Sequence, residues 1–163
     1  MKSIEEIWKI LNTIPDPEIP VITVVELGII RNVEWKDDTL FVYVTPTYSG
    51  CPATTSIMLD INNTLMAHGI LKFKIETQYH PAWTTDWMSA EAKEKLRVYG
   101  IAPPNEKIKH KLNALTGDYD EVVKCPHCGS EHTSLTSQFG STACKALYKC
   151  DECLEPFDYF KCI

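Results

Sequence analysis

The amino-acid sequence predicts an α/β protein, made of a small α-β-β-α-β sandwich domain and a cysteine-rich module at its C-terminal end. Two segments of the first part repeat apolar residues at helical spacing, and three others alternate apolar and polar residues as strands do. This order places helices on one face of a short mixed sheet. Six of the seven cysteines fall within residues 125–163. We therefore assign residues 1–102 to the α/β domain, 103–122 to a linker and 123–163 to the module.

The first helix is expected to begin at Ser3, which stands three residues before Glu6. This is the spacing of a capping box, in which each side chain accepts a hydrogen bond from the other residue's backbone N–H. The apolar face that follows consists of Ile4, Ile7, Trp8, Leu11 and Ile14. The prolines of "PDPEIP", residues 15–20, end the helix and are expected to leave Asp16 and Glu18 exposed on a stiff extended loop.

Three strands are expected in the first domain. The first begins at Gly28 and runs to a turn at 36–38, and the second, "TLFVYVT" at 39–45, pairs with it as a hairpin. The third strand is "LKFKIET" at 71–77. Alternation assigns the first strand's side chains to two faces, with Ile29, Val33 and Trp35 on one and Ile30 and Asn32 on the other.

The second helix is expected to begin at Cys51-Pro52 and to end at Gly69. Its predicted buried stripe consists of Ile57, Met58, Ile61, Leu65 and Met66. A third helix starts at a cap formed by Asp86 or Ser89 and ends at Gly100, before Pro103-Pro104. Its apolar residues are Ala92, Leu96 and Tyr99. The linker that follows is rich in proline and charge, with a short helical stretch expected at 107–112.

Charge and hydropathy exclude two classes of partner. The net charge is −6, and neither end of the chain offers a basic face for the phosphates of nucleic acid. No apolar run approaches the roughly 18 residues that a membrane span needs. Glu5 and Glu6 interrupt the N-terminus where a signal peptide would be continuously apolar. We therefore expect a cytoplasmic protein, and the sequence leaves homodimerisation open.

Four cysteines in the module have the spacing of metal ligands. Cys125 and Cys128 form one Cys-x-x-Cys pair, and Cys150 and Cys153 form a second. Tight turns of this kind direct two sulfurs to one side, and two such turns complete a tetrahedron around zinc. So small a module also has too little core to fold without added stabilisation. The spacing predicts a four-cysteine zinc ribbon, although thiolates also suit an iron-sulfur centre.

Cys144 and Cys162 fit neither turn. They are interpreted as small apolar residues that fill the ribbon sheet, with Cys162 on the terminal strand "FDYFKC". The alternative is that they are spare ligands or a redox pair. His127, inside the first turn, is expected to be a surface residue.

Cys51 has two interpretations. At a helix N-terminus, unpaired N–H groups and the helix dipole favour the thiolate, and Gly50 and Pro52 fit that geometry. The alternative is a buried helix cap without chemistry. No histidine lies near Cys51 in the sequence, so no catalytic Cys-His pair is visible.

Trp83 and Trp87, four residues apart, also have two interpretations. Tryptophan pairs commonly close a hydrophobic core, and exposed tryptophans commonly anchor a partner. We favour the core.

The N-terminal part resembles a known family over about residues 1–80. "DPEIPVITVVELGIIRNVEW", followed by "VTPTYSGCPA" and a helix, is similar to the iron-sulfur assembly family that includes bacterial SufT and the eukaryotic cytosolic cluster-targeting factors. The resemblance matches Asp16, Pro17 and Glu18 to the acidic-proline motif of that family, 26–28 to its next loop, and Cys51 to its characteristic cysteine. It implies that Cys51, assisted by Asp16 and Glu18, is a transient ligand for iron or an iron-sulfur cluster.

The rest of the chain resembles a narrower family, and this similarity runs over essentially the whole chain. "PAWTTDWMSAEAKEKLRVYGIAPP", "CPHCGS", "FGSTACKALYKC" and "FDYFKCI" are similar to the PaaD family, also called PaaJ, the small subunits encoded with phenylacetyl-CoA epoxidase. The resemblance implies a role in phenylacetate catabolism beside a di-iron oxygenase and a reductase that carries flavin and a [2Fe-2S] cluster. No Glu-x-x-His pair of a di-iron site occurs in this chain.

Three functions follow from these observations. The first is an accessory protein that inserts iron or an iron-sulfur cluster into the oxygenase or its reductase, without being an enzyme itself. The second is a structural or regulatory subunit that handles no metal. The third, a thiol redox enzyme, is disfavoured because no Cys-x-x-Cys begins a helix in the α/β domain.

Overall fold

The computed structural model describes residues 1–105 and 122–161. The chain divides into two compact units, Met1–Ala92 and Lys93–Ile163. The α/β class and the order of its first five elements are confirmed. Among the described residues, no helix is both long enough and apolar enough to cross a membrane.

Helix α1, Ile4–Leu11, begins with the predicted capping box. Ser3 N–H donates to Glu6 Oε2 at 2.7 Å, and Glu6 N–H donates to Ser3 Oγ at 3.2 Å. Ile7 and Leu11 are fully buried, and α1 packs against the second helix and the first strand. The predicted start of α1 is correct, but its predicted face was too wide, because Ile4 is 37% exposed. Ile14 is buried beyond the end of the helix at Leu11.

The first unit contains a three-stranded sheet in the order β1-β2-β3, with β1 at Ile30–Lys36, β2 at Thr39–Val44 and β3 at Phe73–Thr77. Strands β1 and β2 form the predicted antiparallel hairpin, whereas β3 runs parallel to β2. The fully buried residues of β2 are Leu40, Val42 and Val44.

Strict alternation fails at the start of β1. Ile30 and Val33 were assigned to opposite faces, yet both are buried, because the register of β1 against β2 shifts between Ile30 and Asn32. An extra residue in one strand turns the side chains that follow. Trp35 is half-buried, and its indole N–H donates to Lys2 O at 3.1 Å.

Helix α2, Ala53–Ala67, connects β2 to β3 and ends before Gly69, whose φ is +77°. Its buried residues are Ala53, Ile57, Ile61 and Leu65. The predicted stripe was too wide. Met66 is 52% exposed and Met58 is half-buried, because a stripe repeated every four residues turns away from both positions.

Helix α3, Ala90–Tyr99, is capped by Ser89, whose Oγ accepts the N–H of Ala92 at 3.0 Å. Ser89 rather than Asp86 is thus the cap, since Asp86 lies in a single 3-10 turn at Thr85–Trp87. Ala92 and Leu96 are buried, as predicted, whereas Tyr99 is 54% exposed and does not belong to the core.

The second unit contains a four-stranded sheet in the order β4-β7-β6-β5. Its strands are β4 at Ile101–Ala102, β5 at Thr133–Ser137, β6 at Lys145–Cys150 and β7 at Pro156–Phe160. The core of this unit consists of Ala102, Val123, Cys125, Ala146, Tyr148, Cys150, Phe157 and Tyr159.

The boundary between the two units follows Ala92, ten residues before the predicted boundary at residue 102. The reason is that β4 pairs in parallel with β7 and so belongs to the second unit. Composition alone gives no sign of this pairing, since 101–102 contains no cysteine. The expected helical stretch at 107–112 and most of the expected linker lie outside the described residues.

Candidate metal centre and free thiol

The sulfurs of Cys125, Cys128, Cys150 and Cys153 lie within 4.8 Å of one another. Cys125 Sγ is 3.7 Å from Cys153 Sγ, and Cys128 Sγ is 3.6 Å from Cys150 Sγ. A tetrahedral ion with metal–sulfur bonds of about 2.3 Å has sulfur–sulfur edges of about 3.8 Å. The two Cys-x-x-Cys pairs therefore combine into the ligand set of one tetrahedral ion.

The backbone of the first turn explains how the sequence builds this site. Gly129 N–H donates to Cys125 O at 2.9 Å, and Cys125 N–H donates to Ser130 O at 2.9 Å. Gly129 has a φ of +78°, which a glycine adopts without steric cost. In the second turn, Cys153 N–H points at Cys150 Sγ, with nitrogen and sulfur 3.5 Å apart.

The surroundings of Cys150 and Cys153 shift the pKa values of the two thiols in opposite directions. The backbone N–H of Cys153 is the main reason that the pKa of Cys150 is lowered to about 7. The N–H of Glu155 acts in the same direction on Cys153, but burial and the neighbouring sulfurs outweigh it and raise the pKa of Cys153 to about 12. Four thiols this close cannot all ionise without a cation between them, and a divalent metal ion supplies that charge.

Cys144 is not among these four sulfurs. It is 5% exposed, its Sγ is 3.0 Å from Thr142 Oγ1, and its carbonyl oxygen accepts the N–H of Lys161 at 3.0 Å. It is thus buried immediately before β6, beside the end of β7. Cys162 lies outside the described residues. His127 is exposed, and it does not belong to the four-residue ligand group.

Cys51 lies at the head of α2 as a free, partly exposed thiol. Its N–H donates to Tyr48 O at 3.2 Å, and its carbonyl oxygen accepts the N–H of Thr54 at 3.1 Å. Pro52 already has helical angles, with φ −65° and ψ −25°, so Cys51 precedes the first helical residue. The predicted start of α2 was thus too early, because Pro52 rather than Cys51 is the cap, and Cys51 is partly exposed.

Asp16 does not lie where the sequence predicted. It is only 5% exposed, because its Oδ1 accepts the backbone N–H of Glu18 at 2.9 Å and of Ile19 at 2.8 Å. An aspartate that binds the next backbone N–H groups closes a turn and becomes enclosed by it. Glu18 is half-buried rather than fully exposed.

The loop 23–28 lies beside the acidic loop, residues 15–20, and is bonded to it and to the residues just before it. Thr23 and Glu26 form a capping box of their own, with Glu26 N–H on Thr23 Oγ1 at 3.1 Å and Thr23 N–H on Glu26 Oε2 at 2.9 Å. Val24 N–H donates to Ile14 O at 3.0 Å, and Asp16 N–H donates to Ile22 O at 2.8 Å. The role of Thr23 was not predicted from the sequence, although its three-residue spacing to Glu26 is the signal of a capping box.

The same loop is tied to the chain that leads to Cys51. Ile29 N–H donates to Val24 O at 3.1 Å, and Ile29 O accepts the N–H of Thr45 at 2.9 Å. Thr45 follows β2 and stands six residues before Cys51. The loop 23–28 therefore supports both segments that carry the predicted transfer residues.

Comparison with known families confirms the two resemblances. The family described as "Iron-sulfur cluster assembly protein" matches residues 4–69, and the family described as "PaaD zinc beta ribbon domain" matches residues 110–161. Cys51, Asp16 and Glu18 fall in the first match, and the four clustered cysteines fall in the second.

Two relatives are matched over most of their own lengths. A subunit of the "Putative 1,2-phenylacetyl-CoA epoxidase" from Escherichia coli (strain K12) is 51% identical over 160 residues, covering 98% of this chain and 93% of the relative. "Fe-S protein maturation auxiliary factor" from Porphyromonas gingivalis is 39% identical over 90 residues, covering 54% of this chain and 85% of the relative.

Two solved structures share the fold of the first part. A domain of unknown function from Bacillus anthracis has a TM-score of 0.53 and 24% identity, covering 57% of this chain and 90% of that structure. A conserved hypothetical protein from Thermotoga maritima has a TM-score of 0.50 and 27% identity, covering 58% of this chain and 94% of that structure.

Proposed function

Because this chain belongs to the family of the E. coli phenylacetyl-CoA epoxidase subunit, we propose that it is a maturation factor for such an epoxidase. In this role it assists the insertion of iron or an iron-sulfur cluster into the oxygenase or its reductase and does not catalyse epoxidation. Its partners are therefore proteins. The match to an iron-sulfur assembly family and the P. gingivalis maturation factor support this role.

The observation that carries the proposal is the free, partly exposed Cys51 just before α2. A transfer ligand has to bind a metal as a thiolate and then release it. A single sulfur on a helix start can do so, whereas four sulfurs around one ion form a closed structural site. Cys51 is accordingly assigned as the transient ligand.

Asp16 and Glu18 have different roles in this proposal. The Asp16 carboxylate accepts hydrogen bonds from the backbone of its own loop, so it acts by shaping that loop. Glu18, two residues further along, is half-buried and carries a carboxylate that suits iron as an additional oxygen ligand. Residues that orient a ligand commonly matter as much as the ligand.

The four clustered cysteines are assigned to a structural zinc ion. The sulfur–sulfur separations leave room for one ion, and a cluster of several irons would need more space between them. The match to a zinc ribbon family supports zinc over iron. Metal binding would supply folding free energy to a unit with a small core.

The name of the E. coli relative, an epoxidase subunit, favours a second candidate, a structural or regulatory subunit that handles no metal. The two candidates differ in what Cys51 does. Under the second candidate, Cys51 is a helix cap, and its replacement by serine leaves the metal content of the epoxidase unchanged.

The test is to produce the oxygenase and reductase in cells together with wild-type protein, Cys51→Ser or the control Ser49→Ala. Ser49 is an exposed residue of the same loop. We expect Cys51→Ser to lower the iron content of the purified oxygenase or reductase to the level found without this protein, and Ser49→Ala to match the wild type. Equal iron in both variants would contradict the proposal and support the second candidate.

A further inference from the structure

We infer that residues 83–89, here called the brace, hold the loop 23–28 in place, and that Trp83 and Trp87 are positioning residues for the Cys51 site. This inference rests on the proposed role of Cys51. The brace lies beyond residues 4–69, the part matched to the iron-sulfur assembly family. Both tryptophans act on the site through the loop.

The brace contacts three consecutive residues of the loop. Trp83 is 3% exposed, and its indole N–H donates to Leu27 O at 3.0 Å. Ser89 N–H donates to Glu26 O at 3.1 Å. These bonds join residues far apart in the sequence, 56 positions in the case of Trp83 and Leu27. They provide donors for the carbonyl groups of an irregular loop.

The third contact is a close approach of two backbones. A Cβ added to Gly28 would lie 2.8 Å from both Cβ and O of Trp87, so only glycine lets the two segments meet. In addition, the Arg31 guanidinium lies 3.4 Å from the centroid of the Trp87 ring. This cation–π contact adds attraction at the point where the loop enters β1.

Hydrogen bonds connect the loop 23–28 to both segments of the candidate Cys51 site. Through Val24 it is hydrogen-bonded to Ile14, two residues before Asp16. Val24 also accepts the N–H of Ile29, whose carbonyl oxygen is bonded to Thr45, at the start of the segment that leads to Cys51. A transfer site has to keep its geometry while the metal arrives and leaves, and such geometry depends on residues behind the ligands.

Amide hydrogen exchange tests the brace without reference to any client protein. Trp83→Phe removes the indole N–H and keeps an aromatic ring. We expect the exchange of the Val24 and Leu27 amides to become about fivefold faster, because a buried hydrogen bond no longer opposes local opening. The amides of Ile61 and Leu65 in α2 should exchange as in the wild type.

Trp35→Phe is the matched control, because Trp35 also donates its indole N–H to a backbone oxygen, that of Lys2. We expect this control to leave the exchange of Val24 and Leu27 unchanged. A second pair of variants tests the positive charge of Arg31 over the Trp87 ring. Arg31→Gln should speed the exchange of the Val24 and Leu27 amides, and Arg31→Lys should keep most of their protection. If the Val24 and Leu27 amides exchange at the wild-type rate in both Trp83→Phe and Arg31→Gln, the inference that the brace holds the loop is wrong.

The positioning role is tested by the iron content of the epoxidase proteins made with each variant. We expect Trp83→Phe and Arg31→Gln to lower it, and Trp35→Phe and Arg31→Lys to keep it near the wild-type value. If Cys51→Ser abolishes loading while Trp83→Phe opens the loop and loads normally, the positioning role is wrong. If Cys51→Ser itself loads normally, the proposed function and the positioning role both fail, and the exchange data still decide whether the brace exists.

Discussion

The carboxylate of Asp16 closes the acidic loop by accepting the backbone N–H of Ile19 at 2.8 Å, and it is almost completely buried as a result. The residue that the family resemblance marks as functional is thus first of all a structural element of its loop. This relationship changes what a mutation at Asp16 should do.

Asp16→Ala should destabilise the protein by about 1–3 kcal/mol, because two enclosed N–H groups lose their acceptor. Asp16→Asn keeps one side-chain oxygen and should cost less. Urea unfolding of the three proteins measures the difference. Equal stability of Asp16→Ala and the wild type would show that the carboxylate does not hold the loop.

Gly28→Ala should destabilise the protein more than Gly50→Ala. Both glycines have positive φ, +77° and +84°, so both substitutions bear the strain of a left-handed backbone, about 1 kcal/mol. Only Gly28 also meets Trp87 at 2.8 Å, whereas nothing lies within 4 Å of a Cβ at Gly50. Thermal unfolding of the pair checks this order, and the reverse order would contradict the close approach of the brace.

Removal of the ribbon metal should unfold the second unit and spare the first. We expect about one zinc ion per chain by elemental analysis, a colourless protein, and loss of zinc in Cys128→Ser. After chelation, amides of β6 and β7 should lose protection from exchange, while those of α2 keep it. Cys144→Ser is the control and should retain its zinc, since Cys144 is not among the clustered sulfurs. A brown protein with iron in the ribbon would contradict the assignment.

The capping box at α1 should give a pH dependence of known sign. The N–H and hydroxyl of Ser3 lower the pKa of Glu6 below its ordinary value of 4.5. A lowered folded-state pKa contributes stability above the unfolded value, and this contribution disappears as the pH falls through the folded value. Ser3→Ala should therefore be less stable than the wild type at pH 7, with a smaller difference near pH 3. Since Ser3→Ala keeps the backbone N–H, a difference that does not depend on pH would show that the Ser3 hydroxyl does not lower the pKa of Glu6.

Local signals in the sequence predicted the parts of the fold that depend on neighbouring residues. The capping box of Ser3 and Glu6, the hairpin of β1 and β2 and the two Cys-x-x-Cys pairs are all short-range patterns, and the structure has each of them. The prediction that Asp16 would be exposed was wrong for a related reason. The prolines around it indicated an extended loop, while the turn that the aspartate forms with its own backbone was overlooked.

Contacts between distant residues left no such signal. The hydrogen bond from Trp83 to Leu27 and the pairing of β4 with β7 join segments 56 or more residues apart. The spacing of apolar residues along the sequence does not reveal such contacts. The sequence suggested that Trp83 and Trp87 belong to the core, and the structure separates them. Trp83 is buried, whereas Trp87 is half-buried beneath Arg31.

The role of Cys51 as a transient ligand can be measured with purified proteins. The protein is incubated with iron and sulfide, separated from excess reagents, and mixed with the metal-free reductase, whose cluster is followed by circular dichroism. We predict that the wild type and Ser49→Ala transfer a cluster and that Cys51→Ser does not, with zinc in the ribbon unchanged in all three. Transfer by Cys51→Ser at the wild-type rate would contradict the account.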